Sequence, residues 1–131
     1  MIDDAERLAT RQAPAVAGIL RRVYTLLVDD LGCSAYVKTI YVGFTLDGAM
    51  VAAAYPRSET VEVALAMEEG HESVLLKDAS HLTWPTLPLF VTIETDALTS
   101  EIEELLRQAH RRVKEQEHKV DRPPAFFYER K

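Results

Sequence analysis

Apolar positions along this chain change period twice, and the changes divide it into helix, sheet and helix. From Pro14 onward, Val16, Ile19, Leu20, Val23, Leu26, Leu27 and Leu31 recur three and four residues apart, the stripe of an amphipathic helix. Pro14 suits a first turn, where its missing N–H costs nothing, and Gly32 offers a left-handed stop. Arg21, Arg22 and Asp29 fall off the stripe and should face water. The period then drops to two. Ile40, Val42, Phe44 and Leu46 alternate with Tyr41, Gly43 and Thr45, which predicts a strand. Asp47-Gly48 predicts a type I′ hairpin turn, because both central residues tolerate positive φ. Across it Leu46 should face Ala49 and Phe44 should face Val51. The returning strand, 49–55, is mostly alanine, which lets a helix come close. After a turn at Pro56-Arg57-Ser58-Glu59, Val61, Val63, Leu65 and Met67 alternate and complete a meander.

Residues 68–88 are irregular, with Gly70, two prolines, two histidines and the only tryptophan. A stretch of that length is long for a plain loop and signals a functional loop or a short element without clear periodicity. Leu89, Val91 and Ile93 then mark a fourth strand over 89–94. The period returns to that of a helix at Ile102, Leu105, Leu106, Ala109 and Val113. Ser100 and Glu103 before that run fit a capping box, and Arg111, Arg112 and Lys114 suit the helix's C-terminal end. The expected fold is therefore α+β: an antiparallel sheet of about four strands, a three-stranded meander plus one, flanked by an N-terminal and a C-terminal helix. A length of 131 residues fits one domain. It divides into a lead-in at 1–13, a core at 14–118 and an aromatic tail at 119–131, where Phe126-Phe127-Tyr128 stand together.

Composition narrows the function classes. The chain is 47% hydrophobic, an ordinary globular value, and no apolar run approaches the roughly 20 residues of a spanning helix. An acidic N-terminus and a single cysteine, Cys33, point to the reducing cytoplasm and no membrane. The net charge of −6 disfavours tracking a phosphate backbone, though a local basic patch would still permit it.

Three segments also carry a resemblance. A helix ending at Leu31-Gly32 leads into Lys38-Thr-Ile-Tyr-Val-Gly-Phe44. A strand ending at Tyr55-Pro56-Arg57 is followed by Val61-Glu-Val-Ala-Leu65. A segment with His81 and Trp84 precedes a strand and the helix Ile102-Glu-Glu-Leu-Leu-Arg-Gln-Ala-His110. In this order residues 16–113 resemble an uncharacterised bacterial domain family labelled "predicted transport protein". More distantly they are similar to YjbR-like α+β proteins, whose fold has been proposed to bind DNA. In the family the histidine and tryptophan are often adjacent, whereas here Leu82-Thr83 separates them. The resemblance implies the same helix–sheet–helix order and brings no agreed activity.

The residues that remain as site candidates are few. His81 and Trp84 either close the core or form a platform, an indole face beside an imidazole that titrates near neutrality. Lys38, Arg57 and Lys77 are either solvated charges or, gathered at one end of a meander, an anion-binding cluster with His81. The expected ligand-binding set is Lys38, Arg57, His81 and Trp84. His71, His81, His110 and His118 lack the spacing of a metal site, so neither metal nor cofactor is expected. Cys33 follows a helix C-terminus, where a thiol pKa rises, and reads as structural. No catalytic residue is assigned, although Asp78 orienting His81 for acid–base work is the enzyme alternative. The sequence thus reads as a binding domain for an anionic small molecule or a protein partner. A nucleic-acid module is the other alternative, and a homodimer through the aromatic tail is open.

Overall fold

The computed structural model describes residues 12–38, 40–67, 75–79, 87–95 and 98–116. Helix α1, Pro14–Tyr24, starts as its proline dictates and buries Val16, Ala17, Ile19, Leu20 and Val23. It does not run unchanged to Leu31. Its last turn, Thr25–Asp30, widens into a π-turn that still buries Leu26 and Leu27. Gly32 then ends it at φ +79° as expected. The Cys33 N–H reaches the Leu27 carbonyl at 2.9 Å, one residue further back than in an ordinary Schellman end, because the π-turn is wider.

Among the described residues six strands follow, where about four were expected. They are β1 (Ser34–Val37), β2 (Val42–Leu46), β3 (Ala49–Pro56), β4 (Val61–Leu65), β5 (Lys77–Asp78) and β6 (Leu89–Ile93). All pair antiparallel in the spatial order β1-β2-β3-β4-β6-β5. The expected meander is β2-β3-β4, and β1 and β5 are the additions. β1 offered only four residues and no long alternation, and β5 only two. The strand expected to begin at Ile40 begins instead at Val42. Ile40 sits in the turn closing β1 onto β2 and is 58% exposed.

Asp47 (φ 51°) and Gly48 (φ 87°) make the expected type I′ turn, and Leu46 does face Ala49. Phe44, however, faces Ala52 rather than Val51, because the register shifts between Phe44 and Thr45. A bulge of this kind lets two residues oppose one, so Val51 is the extra residue.

Helix α2, Ser100–Gln116, is capped by Thr99 rather than by a Ser100–Glu103 box. The Ile102 N–H donates to Thr99 Oγ1 at 3.2 Å and the Glu103 N–H to the Thr99 carbonyl at 3.0 Å. Both helices lie on one face of the sheet. Tyr24 of α1 meets Phe44 edge-on, with centroids 6.2 Å apart, and Arg22 of α1 pairs with Glu103 of α2 at 3.4 Å. Strand β3 lies beneath both, as its alanines allow. Pairing and alternation put Val42, Phe44, Ala52, Ala54, Val61, Val63, Leu65, Val91 and Ile93 on this helix face, all buried. Ile102, Leu105, Leu106, Ala109 and Val113 complete the core from α2.

Candidate functional site

The opposite face of the sheet is where chemistry collects, and the strand register shows why. Val37 faces Val42, and Val42 faces Ala54. One step further along each strand therefore brings Lys38, Tyr41 and Tyr55 level at one end of the sheet, with Tyr55 facing Glu62. The β3–β4 turn, closed by the Arg57 N–H to Thr60 carbonyl bond at 2.7 Å, lies at the same end. Lys38 closes the β1–β2 turn, its N–H donating to the Tyr41 carbonyl at 2.9 Å, so it follows directly on the end of β1.

Three tyrosines pave this end. Tyr41 and Tyr55 stack with centroids 5.1 Å apart and planes at 27°, and Tyr36 meets Tyr41 edge-on at 6.1 Å. Tyr36 leans over Gly43, where a side chain's Cβ would collide with its ring, so glycine is what lets the ring lie down. Its hydroxyl sits 3.4 Å from the Tyr41 hydroxyl and 3.4 Å from Met50 Sδ. The two cations rest on the ends of this row. Lys38 Nζ lies 5.9 Å from the Tyr36 ring centre, and the Arg57 guanidinium lies 5.6 Å from that of Tyr55. A ring face attracts a cation through its quadrupole, so the aromatics hold both charges in place. Arg57 also pairs with Glu62 at 3.0 Å. Lys38 and Arg57 both stay exposed, while Tyr41 and Tyr55 are buried beneath them.

Of the three basic residues weighed either as solvated charges or as a cluster, Lys38 and Arg57 lie at the same end of the sheet. Lys77 sits in edge strand β5, three strands beyond β3 and so about 14 Å away at the usual strand spacing. It shares the tyrosine face, level with Phe90, Ala64, Ala53, Gly43 and Tyr36, but on the far side of the sheet. Asp78 beside it is exposed and on the helix side. His81 and Trp84 lie outside the described residues, as do His71, His118 and the aromatic tail. Cys33 is buried and free, and its thiol is pushed up to about 11; the direction is the expected one, but the cause is burial and not the helix end. His110 lies far from the cations in sequence and against the other helix. Burial lowers its pKa, Lys114 and then Arg111 add to the lowering, and a hydrogen bond with the Leu31 backbone partly opposes it.

What sequence reasoning passed over was the tyrosines. Tyr41 was legible as facing away from Val42 and Phe44, but Tyr36 belongs to the unexpected strand β1. Only its pairing with Gly43 reveals the row. No family model matches the chain, and no curated protein or solved structure matches it either. Among the described residues no helix is long and apolar enough to cross a membrane.

Proposed function

We propose that this chain is a binding domain for an anionic small molecule, held at the tyrosine-paved end of the sheet by Lys38 and Arg57. The observation that carries the reading is that both cations lie over rings of one connected tyrosine row at one sheet end. Strand axes β1 and β3 are two spacings apart, about 10 Å, so the two cations flank one stretch of the sheet's end. Each long side chain is partly ordered by its ring before a ligand arrives, which lowers the entropy cost of binding. His81 and Trp84 remain expected contacts on the basis of their sequence context alone.

Among the described residues no charged side chain is buried. Recognition by exposed, ring-supported cations suits a binding role better than acid–base chemistry, which relies on groups with displaced pKa values.

The test is a thermal-shift screen at low salt against nucleotides, sugar phosphates and small carboxylates. A ligand at about 100 times its Kd stabilises by about 2.7 kcal/mol, a shift of several degrees in a domain this size. Lys38→Ala and Arg57→Ala should each abolish most of that shift. Silence across all anions, or hits indifferent to both substitutions, would remove the reading.

A further inference from the structure

The two edges of the sheet are built differently. β5 is two residues long, and both Lys77 and Asp78 are exposed and charged, the usual way of discouraging further pairing. β1, at the other edge, is twice that length and carries no charge from Ser34 to Val37. Next to it stands Ile40, the large hydrophobic residue left exposed among those described.

The hydrogen-bond phase of β1 identifies the groups it offers. Lys38 and Tyr41 form a bonded pair, and bonded and non-bonded pairs alternate along antiparallel strands. Tyr36 and Ser34 are therefore bonded to β2, opposite Gly43 and Thr45, while Ala35 and Val37 turn their N–H and C=O groups outward. No described residue pairs with those groups.

We infer that edge strand β1 joins the β1 of a second copy of this chain, antiparallel about a two-fold axis at Tyr36. The register follows from what each alternative leaves unpaired. Residues facing across an antiparallel pair lie on the same side of the sheet, so the axis falls on a residue. Centred on Tyr36, Ala35 of each copy meets Val37 of the other, and every outward group of both residues is bonded. Centred on Ala35, Val37 would meet Cys33, whose N–H is already committed to the Leu27 carbonyl. Centred on Val37, Ala35 would fall against the turn that follows Lys38.

Charge supports a second copy as the occupant. The chain enters β1 from the end of α1, where Asp29 and Asp30 are exposed, and leaves it at exposed Lys38. Antiparallel pairing sets the basic end of each strand beside the acidic approach of the other, an isologous and self-complementary match. The Tyr36 rings do not obstruct it, because each leans inward over its own Gly43. Six strands from each copy would then form one continuous sheet.

The whole chain at about 100 μM should sediment with twice the 14.7 kDa of one copy, as a Kd near 1 μM requires. Ala35→Pro removes one outward N–H and spares the β1–β2 bonds, since proline is tolerated at such edge positions. That variant should keep a cooperative melt and halve the mass. Single cysteines introduced in a Cys33→Ala background give a second readout that does not depend on it. Under mild oxidation Tyr36→Cys should cross-link to a covalent dimer, and Ala35→Cys and Val37→Cys far less, because only residue 36 meets its own copy. A monomeric wild type at this concentration overturns the inference and leaves the edge to a strand from another protein. A folded Ala35→Pro dimer, or strongest cross-linking at 35 or 37, overturns it as well.

Discussion

The two faces of this sheet are made by the same strands and do different things. On the helix side Val42, Phe44, Val61, Val63, Leu65, Val91 and Ile93 meet the two helices, with Ala52 and Ala54 letting them approach. On the other side the row Tyr36, Gly43, Ala53, Ala64 and Phe90 runs beside a row of Tyr41, Tyr55, Glu62 and Thr92. One face carries aliphatic volume. The other carries rings, hydroxyls and two cations. Period-two alternation sends successive residues of one stretch to opposite faces, and along β3 both are buried, Ala52 and Ala54 on the helix side and Ala53 and Tyr55 on the other.

The largest effect should come from breaking the packing face. Leu106 of α2 is fully buried. Leu106→Ala should cost about 2–5 kcal/mol through lost transfer energy and a residual cavity, read as the change in urea midpoint at constant slope. Thr92→Ala, exposed on the tyrosine face, should stay within about 0.5 kcal/mol. If the two substitutions cost the same, Leu106 does not belong to the core.

Gly43 sharpens the comparison from the other side. Adding a Cβ there meets the far end of the Tyr36 ring and not the backbone, so the ring would swing away while the strand holds. Gly43→Ala should therefore cost about 1–2 kcal/mol, the lower part of the range for overfilling a packed site. Tyr36→Ala removes the collision in advance. The double variant should then be less destabilised than the sum of the two singles by about 0.5 kcal/mol or more. Strict additivity would mean that Tyr36 does not rest on Gly43.

The helix face was mostly legible in the sequence, and the site only in part. Spacings of three and four gave α1 and α2. Alternation gave three strands, and Asp47-Gly48 fixed the hairpin, because each of these signals is local. Three things were not local. The bulge at Phe44 depends on how β3 accommodates Val51 against a partner strand. Strand β1 is four residues long, and its place beside β2 shows only in the pairing of Ser34–Val37 with residues distant in sequence. Strand β5 is two residues long and is defined by its pairing with β6. The site inherits the same limit. Lys38 and Arg57 were chosen for charge and position, yet their support is three rings drawn from separate strands. Lys77 was grouped with them because sequence does not give the distance across a sheet.

A smaller effect tests how the helix layer is tied together. His110 of α2 packs by the end of α1, and burial, Lys114 and Arg111 lower its pKa below the ordinary 6.5. The unfolded chain then binds the proton more readily than the folded one. This contribution to stability is fully present above about pH 6.5 and is lost as pH falls through the folded value. Melting temperature should therefore drop more between pH 7.5 and 5.5 in wild type than in His110→Gln. Parallel pH profiles would show that the hydrogen bond with the Leu31 backbone offsets burial and the two neighbouring cations.

The smallest change in stability should accompany the most informative change in binding. Glu62 accepts from Arg57 at 3.0 Å, at a surface where the Arg57 side chain is 40% exposed. Exposed pairs of this kind contribute about 0.2–1 kcal/mol, so Glu62→Gln should barely move the melt. For an anionic ligand, however, Glu62 is a competitor for the same guanidinium and a like charge beside the site. Removing its charge while keeping its shape should tighten binding of a hit from the anion screen by up to about fivefold, the equivalent of the pair's own energy. Adding salt should shrink the gain, because the competition is electrostatic and exposed. Tighter binding in Glu62→Gln and loss in Arg57→Ala together would assign Arg57 to the ligand. Weaker binding in Glu62→Gln would instead mean that the carboxylate positions Arg57 and that the pair acts as one unit. Indifference to both would return Arg57 to the role that the packing face makes familiar, a residue that holds the fold and nothing else.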